Sequence, residues 1–119
     1  MAINEGDRIS FAVVATSNTS GIAYVTNRST GQSVQHSFSG EQALCGQNAE
    51  WIVEDFESDS NLVPFAQFSP IIFTGSTWVA DGITYGLEGS SILEIEQSGS
   101  VLTKVFTEGQ EMMRVTYSG

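Results

Sequence analysis

Positive charge is scarce in this chain. Four Lys and Arg residues stand against fourteen Asp and Glu, with one His, for a formal net charge of −10 at pH 7. Phosphate binding needs a basic surface, so nucleic acid is not an expected partner. An anionic membrane surface is not expected either, for the same reason. No apolar run is long enough to span a bilayer. Residues 1–10, MAINEGDRIS, lack the basic start and apolar centre of a signal peptide. Cysteine occurs once, at Cys45, so a disulfide within these 119 residues is excluded. A lone thiol is either a small buried side chain or one whose partner lies elsewhere.

Other absences narrow the chemistry. His36 is the one imidazole, so no pair has zinc-ligand spacing, and no metal is expected. The run DFESDSN (55–61) is acidic but lacks the glycine and distal Glu of a calcium loop. No Ser sits in a G-x-S-x-G elbow, and the phosphate-loop and dinucleotide patterns are missing, so no cofactor is expected. No segment holds a helical period. Carboxylates remain as the candidate chemical groups. Their excess reads as solubility through self-repulsion, or as a protein that works in acid, where many carboxylates are neutral.

What is present is β pattern. ISFAVVATS (9–17), IAYVTN (22–27) and QSVQHSFS (32–39) alternate at close spacing, with NTSG and RSTG as turns, and read as an antiparallel meander. AEWIVEDF (49–56) is expected as the next strand. LVPFAQF (62–68) carries Pro64, which suits a strand start, an edge or an extended lead-in. A short strand and a turn are expected within 70–82, and strands at 91–97, 100–106 and 112–118, with Gly99 and Gly109 in the turns. Many short strands at regular intervals predict one all-β domain over residues 1–119, an antiparallel β-sandwich of the concanavalin-like or jelly-roll type. Asn18-Thr19-Ser20 and Asn27-Arg28-Ser29 are sequons in turn-like sequence, where glycosylation is sterically allowed.

The run NAEWIVEDFE (48–57) is unusual among these strands. On alternation Glu50, Ile52 and Glu54 share one face, and Trp51, Val53 and Asp55 the other. Glu50 and Glu54 would be about 13 Å apart along a strand, too far to share a proton. Either can act alone as a general acid or base, or both can be ordinary solvated side chains. The aromatic and aliphatic neighbours can desolvate a carboxylate.

This run, followed by NLVPFAQFSPIIFTG (61–75), resembles the hallmark segment of the eqolisins, the fungal glutamic peptidases. Residues 3–40 resemble the family's stretch leading to that segment, and ILEIEQSGSVLTKVF (92–106) its C-terminal strands. The resemblance implies a two-sheet sandwich, an acid-acting endopeptidase exported from the cell, a polypeptide substrate, and no metal or cofactor. It implies a catalytic Glu that activates water and a Gln that stabilises the oxyanion. The Glu aligns with Glu54, with Glu50 as the fallback. That reading answers the pattern of the run: the acids line a polar cleft while Trp51 and Val53 pack inward.

The family's catalytic Gln lies in an earlier L-Q-T-G-like motif, further upstream than the 53 residues that precede Glu54 here. Gln32, Gln35, Gln42 and Gln47 stand in other contexts. The chain thus resembles the C-terminal part of the mature domain. The unpaired Cys45, the lack of a leader and the start on a strand lead-in agree with Met1 as an internal methionine of a longer protein. The implied partner is an N-terminal companion chain or a second copy. The rival expectation is a half-length binding or structural module, homodimeric through its sheet edges.

Overall fold

The computed structural model describes residues 1–59 and 61–119, which form two compact units, 1–48 and 49–119. Every strand pair is antiparallel, and no helix occurs among the described residues.

The first unit is the expected meander. Strands β1 (Ile9–Ser17), β2 (Ser20–Asn27) and β3 (Ser33–Ser39) lie side by side in chain order. Registry places Phe11 opposite Val25 and Val25 opposite Val34, so one face carries an apolar row across all three strands. Gly21 lies on that face because Phe38 crosses it. A Cβ at Gly21 would come within 2.6 Å of the Phe38 ring.

Asn27, at the end of β2, ties the unit's entry together and is 0% exposed. Its Nδ2 donates to Asp7 Oδ2 (2.7 Å) and to the Ala2 carbonyl (3.4 Å). Its Oδ1 accepts from the N–H groups of Ser29 (2.9 Å) and Thr30 (3.1 Å). All four side-chain hydrogen-bonding positions of the amide are therefore used. Asp7 also accepts from the Asn4 N–H (2.9 Å). That backbone bond foremost, and then the Asn27 amide, hold the Asp7 carboxyl below the ordinary carboxylate range, against a smaller opposing effect of desolvation.

The second unit holds the buried core. Strands β4 (Glu57–Ser58) and β5 (Asn61–Leu62) form a short hairpin across ESDSN (57–61), a stretch whose composition predicts a polar turn and of which Ser60 lies outside the described residues. Then follow β6 (Ile71–Thr74), β7 (Trp78–Ala80), β8 (Ile83–Tyr85), β9 (Glu96–Gln97), β10 (Ser100–Val101), β11 (Thr103–Glu108) and β12 (Met112–Tyr117). Strands β11, β12 and β6 make a sheet with β12 in the centre. Its inner face centres on Met113 and Val115, which with Leu87 form the buried cluster; Phe73 and Val105 pack against it. The outer face carries Ile72, Phe106 and Arg114, whose guanidinium lies 5.1 Å from the Phe106 ring centroid. The turns at Gly99 and Gly109 sit where expected, inside the β9–β10 and β11–β12 hairpins.

Several expected strands are corrected. Strand β8 was not foreseen, although Asp81-Gly82 is a strong hairpin signal. Both residues take positive φ (51° and 76°), the twist a tight two-residue turn requires. The expected strand 91–97 shrinks to two paired residues, Glu96–Gln97, and of LVPFAQF (62–68), open between a strand start, an edge and an extended lead-in, Leu62 alone is in a strand. The expected strand 49–56 is not one: among the described residues it forms no ladder. Alternation sets which side chains face the core, but a strand also needs a neighbour within hydrogen-bonding distance. Cys45 is exposed, which removes the reading of a buried thiol.

Candidate active site

The alternation foreseen for residues 49–56 holds without a ladder. Trp51 and Val53 are half-buried and pack against the Leu87–Met113–Val115 core. Ile52 and both glutamates of the opposite face, Glu50 and Glu54, are exposed. Two apolar anchors thus hold the run down while its acidic face looks outward. Among the described residues one backbone bond reaches the run, from the Val63 N–H to the Phe56 carbonyl (3.2 Å).

Alternation alone puts Asp55 inward, and the structure gives that carboxylate a partner. Gln97, half-buried on β9, donates from Nε2 to Asp55 Oδ1 (2.9 Å) and to the Val63 carbonyl (3.2 Å). One amide therefore braces three segments: the acidic run, the stretch after β5, and β9. A half-buried carboxylate without such a donor would be costly. Glu54 sits between two held neighbours, Val53 in the core and Asp55 on Gln97, so its backbone direction is well determined. Glu50 is flanked by exposed Ala49 and half-buried Trp51, and is held from one side only.

The sequence had not marked Gln97 as a site residue. A signal existed: Ile95 and Gln97 alternate onto one half-buried face, and a polar side chain at an inward position needs a partner. Around this brace, Phe65, Phe68 and Tyr117 form an aromatic group with ring centroids 5.8 to 6.4 Å apart. The group packs the chain after β5 onto the end of β12.

His36 lies exposed on β3 of the first unit, and Gln32, Gln35, Gln42 and Gln47 belong to that unit as well. Among the described residues, no three His, Cys, Asp or Glu side chains converge as a metal-ligand set. The acidic face thus offers carboxylates suited to general acid–base chemistry, held on a fixed backbone.

Comparison with known proteins places this geometry. The sequence profile of the peptidase A4 family matches residues 1–117. Aspergillopepsin-2 of Aspergillus niger is 50% identical over 119 residues, which are 98% of this chain and 42% of the relative. Scytalidopepsin B of Scytalidium lignicola is 45% identical over 104 residues, 80% of this chain and 40% of the relative. The chain therefore spans less than half the length of these curated relatives. Among solved structures, aspergilloglutamic peptidase from Aspergillus niger superposes with a TM-score of 0.81 at 48% identity, covering 99% of this chain and 70% of that one. SCP-B, a member of the eqolisin family solved in a complex with the tripeptide Ala-Ile-His, superposes with a TM-score of 0.79 at 38% identity, covering 99% and 63%. By sequence and by fold, this chain belongs to the peptidase A4 family, the eqolisins, and has their all-β sandwich fold.

Proposed function

We propose that this chain supplies the glutamate side of a glutamic-type acid endopeptidase site, with Glu54 as the catalytic carboxylate. The observation that carries the reading is the acidic run: Glu54 is exposed between two inward-held neighbours, on a segment matched by peptidases of the same family. In this mechanism the Glu54 carboxylate takes a proton from water as the water oxygen adds to the scissile carbonyl. The carbonyl becomes a tetrahedral oxyanion. Glu54 then returns the proton to the leaving amine as the C–N bond breaks. The oxyanion is met by an amide N–H from the family's Gln, in a segment outside these residues. Residues 1–119 are then one sandwich domain, completed by an N-terminal companion segment. A polypeptide substrate accords with the tripeptide complex of SCP-B. An extracellular location is part of the same reading.

The test is cleavage of an unfolded protein at about pH 3 to 4, the ordinary carboxylate range. The chain is assayed alone and with an N-terminal eqolisin chain, beside Glu54→Gln and Glu50→Gln. Cleavage by the mixture that Glu54→Gln lowers by about 100-fold or more supports the reading. Loss with Glu50→Gln alone transfers the role to Glu50. Unchanged cleavage in both variants overturns it.

A second reading has its own observation. Phe11 and Val13 on β1 are 72% and 70% exposed, and β1 is an edge strand. A half-length, non-proteolytic module that dimerises through this edge would cover them. Absence of cleavage under every condition above, together with a stable dimer of the chain alone, favours that module.

A further inference from the structure

The two sequons, equivalent in sequence, are opposite in structure. From that contrast we propose that Asn18 is an N-glycosylation site and that the folded protein carries no glycan on Asn27. The proposal rests on the extracellular reading above.

Asn18 and Thr19 form the two-residue tip between β1 and β2, where Ser17 pairs with Ser20. Both tip residues are exposed. Their backbone carbonyls are engaged by the 40–48 loop: Asn18 accepts from the Leu44 N–H (2.8 Å) and Thr19 from the Glu41 N–H (3.1 Å). Among the described residues the Asn18 side chain makes no hydrogen bond. The tip is thus held by its backbone, and the side-chain amide is left free in solvent.

Asn27 is the reverse. It is 0% exposed, and both Nδ2 hydrogens are spent, on Asp7 and on the Ala2 carbonyl. A sugar on Nδ2 replaces one of those hydrogens and needs a path to solvent that the closed entry does not offer. It would also strip a donor from Asp7. Transfer precedes folding, so the closure acts as a filter: chains modified at Asn27 cannot rebuild the clamp.

The step itself is ordinary. The Asn18 Nδ2 attacks the anomeric carbon of an oligosaccharide carried on a lipid pyrophosphate. An N–C bond forms and the C–O bond to pyrophosphate breaks. The lipid pyrophosphate leaves with the bonding pair, and one Nδ2 proton passes to base. Nothing is oxidised or reduced. Ser20 supplies the hydroxyl of the sequon.

The experiment is secretion of the full chain behind an added export leader in a glycosylating yeast. The leader makes the result independent of where the native protein resides, so a wrong location and a wrong site are told apart. Protease-resistant protein is taken from medium and cells alike, so that poor export does not silence the readout. Glycans are released by an amidase in heavy-oxygen water, which converts each occupied Asn to a mass-labelled Asp. Label at residue 18 in most molecules, none at residue 27, and loss of the glycan in Asn18→Gln with unchanged thermal stability are expected. Label at residue 27 in folded protein, or an unlabelled residue 18, overturns the proposal.

Discussion

Asn27 concentrates more hydrogen bonds than any neighbouring side chain of the first unit, and its value lies in what would be left unpaired without it. Asn27→Ala would free the Ser29 and Thr30 N–H groups and remove a donor from Asp7. The expected loss is about 1–2 kcal/mol, since each hydrogen bond is worth about 0.5–1.5 kcal/mol net and the freed N–H groups of exposed Ser29 and Thr30 can turn to water. Chemical denaturation of the variant checks this. Asp7 adds a pH dependence to the same clamp. Its folded-state carboxyl lies below its ordinary value, first through the Asn4 N–H and then through Asn27. A depressed carboxylate contributes stability that is present above the unfolded value and is lost as pH falls through the folded one. The stability gap between the wild type and Asp7→Asn is therefore expected to be largest at neutral pH and to close below about pH 4. A gap that grows in acid would contradict this sign.

Among the elements, the acidic run and the β6–β11–β12 sheet decide the second unit. The run has no ladder, so its order comes from side chains: Trp51 and Val53 on the core, and Asp55 on Gln97. Gln97→Leu removes the shared donor. We expect a loss of about 1–3 kcal/mol from the orphaned carboxylate. Faster amide exchange across 55–63 should accompany it, because the same amide holds the Val63 carbonyl. Unchanged exchange there would mean that the aromatic group alone fixes the segment. The sheet gives a sharper contrast. Met113→Ala opens the buried face and should cost about 2 kcal/mol, the low end for such a truncation, because the core is small. Ile72→Ala, on the exposed outer face, should change stability by about 0.5 kcal/mol or less. Paired denaturation curves test both.

At the scale of the whole molecule the unusual fact is how much apolar surface stays open. Phe11, Val13 and Val14 on β1 are exposed, as are Ile52, Phe56 and Leu93 of the second unit. Exposed apolar area of this kind occurs at protein-contact surfaces, ligand grooves and aggregation-prone faces. Opposing it at neutral pH is the charge of −10, which keeps copies apart and weakens as carboxylates protonate. Association, with itself or with an N-terminal eqolisin segment, should therefore be stronger near pH 4 than near pH 7. Phe11→Lys should weaken it while leaving the meander folded. Sedimentation at both pH values is the measurement, and association indifferent to both pH and Phe11 would count against this surface.

Much of this was legible in the residues because it depends on local chemistry. Alternation and turn chemistry determined the all-β class, the meander of β1–β3 and the hairpins at Gly99 and Gly109. Alternation also determined which of residues 50–55 face inward, because successive side chains on an extended backbone point to opposite sides. The hallmark run around Glu54 pointed to the family. Tertiary structure decided what depends on a partner distant in sequence. It showed that 49–56 keeps its alternation without forming a strand among the described residues, since alternation alone cannot supply a neighbour to pair with. It placed Gln97 on Asp55, 42 residues apart along the chain. It buried Asn27 and left Asn18 open, although the two sequons read alike. A pattern records what each residue prefers locally. Pairing and burial depend on what the rest of the fold brings alongside.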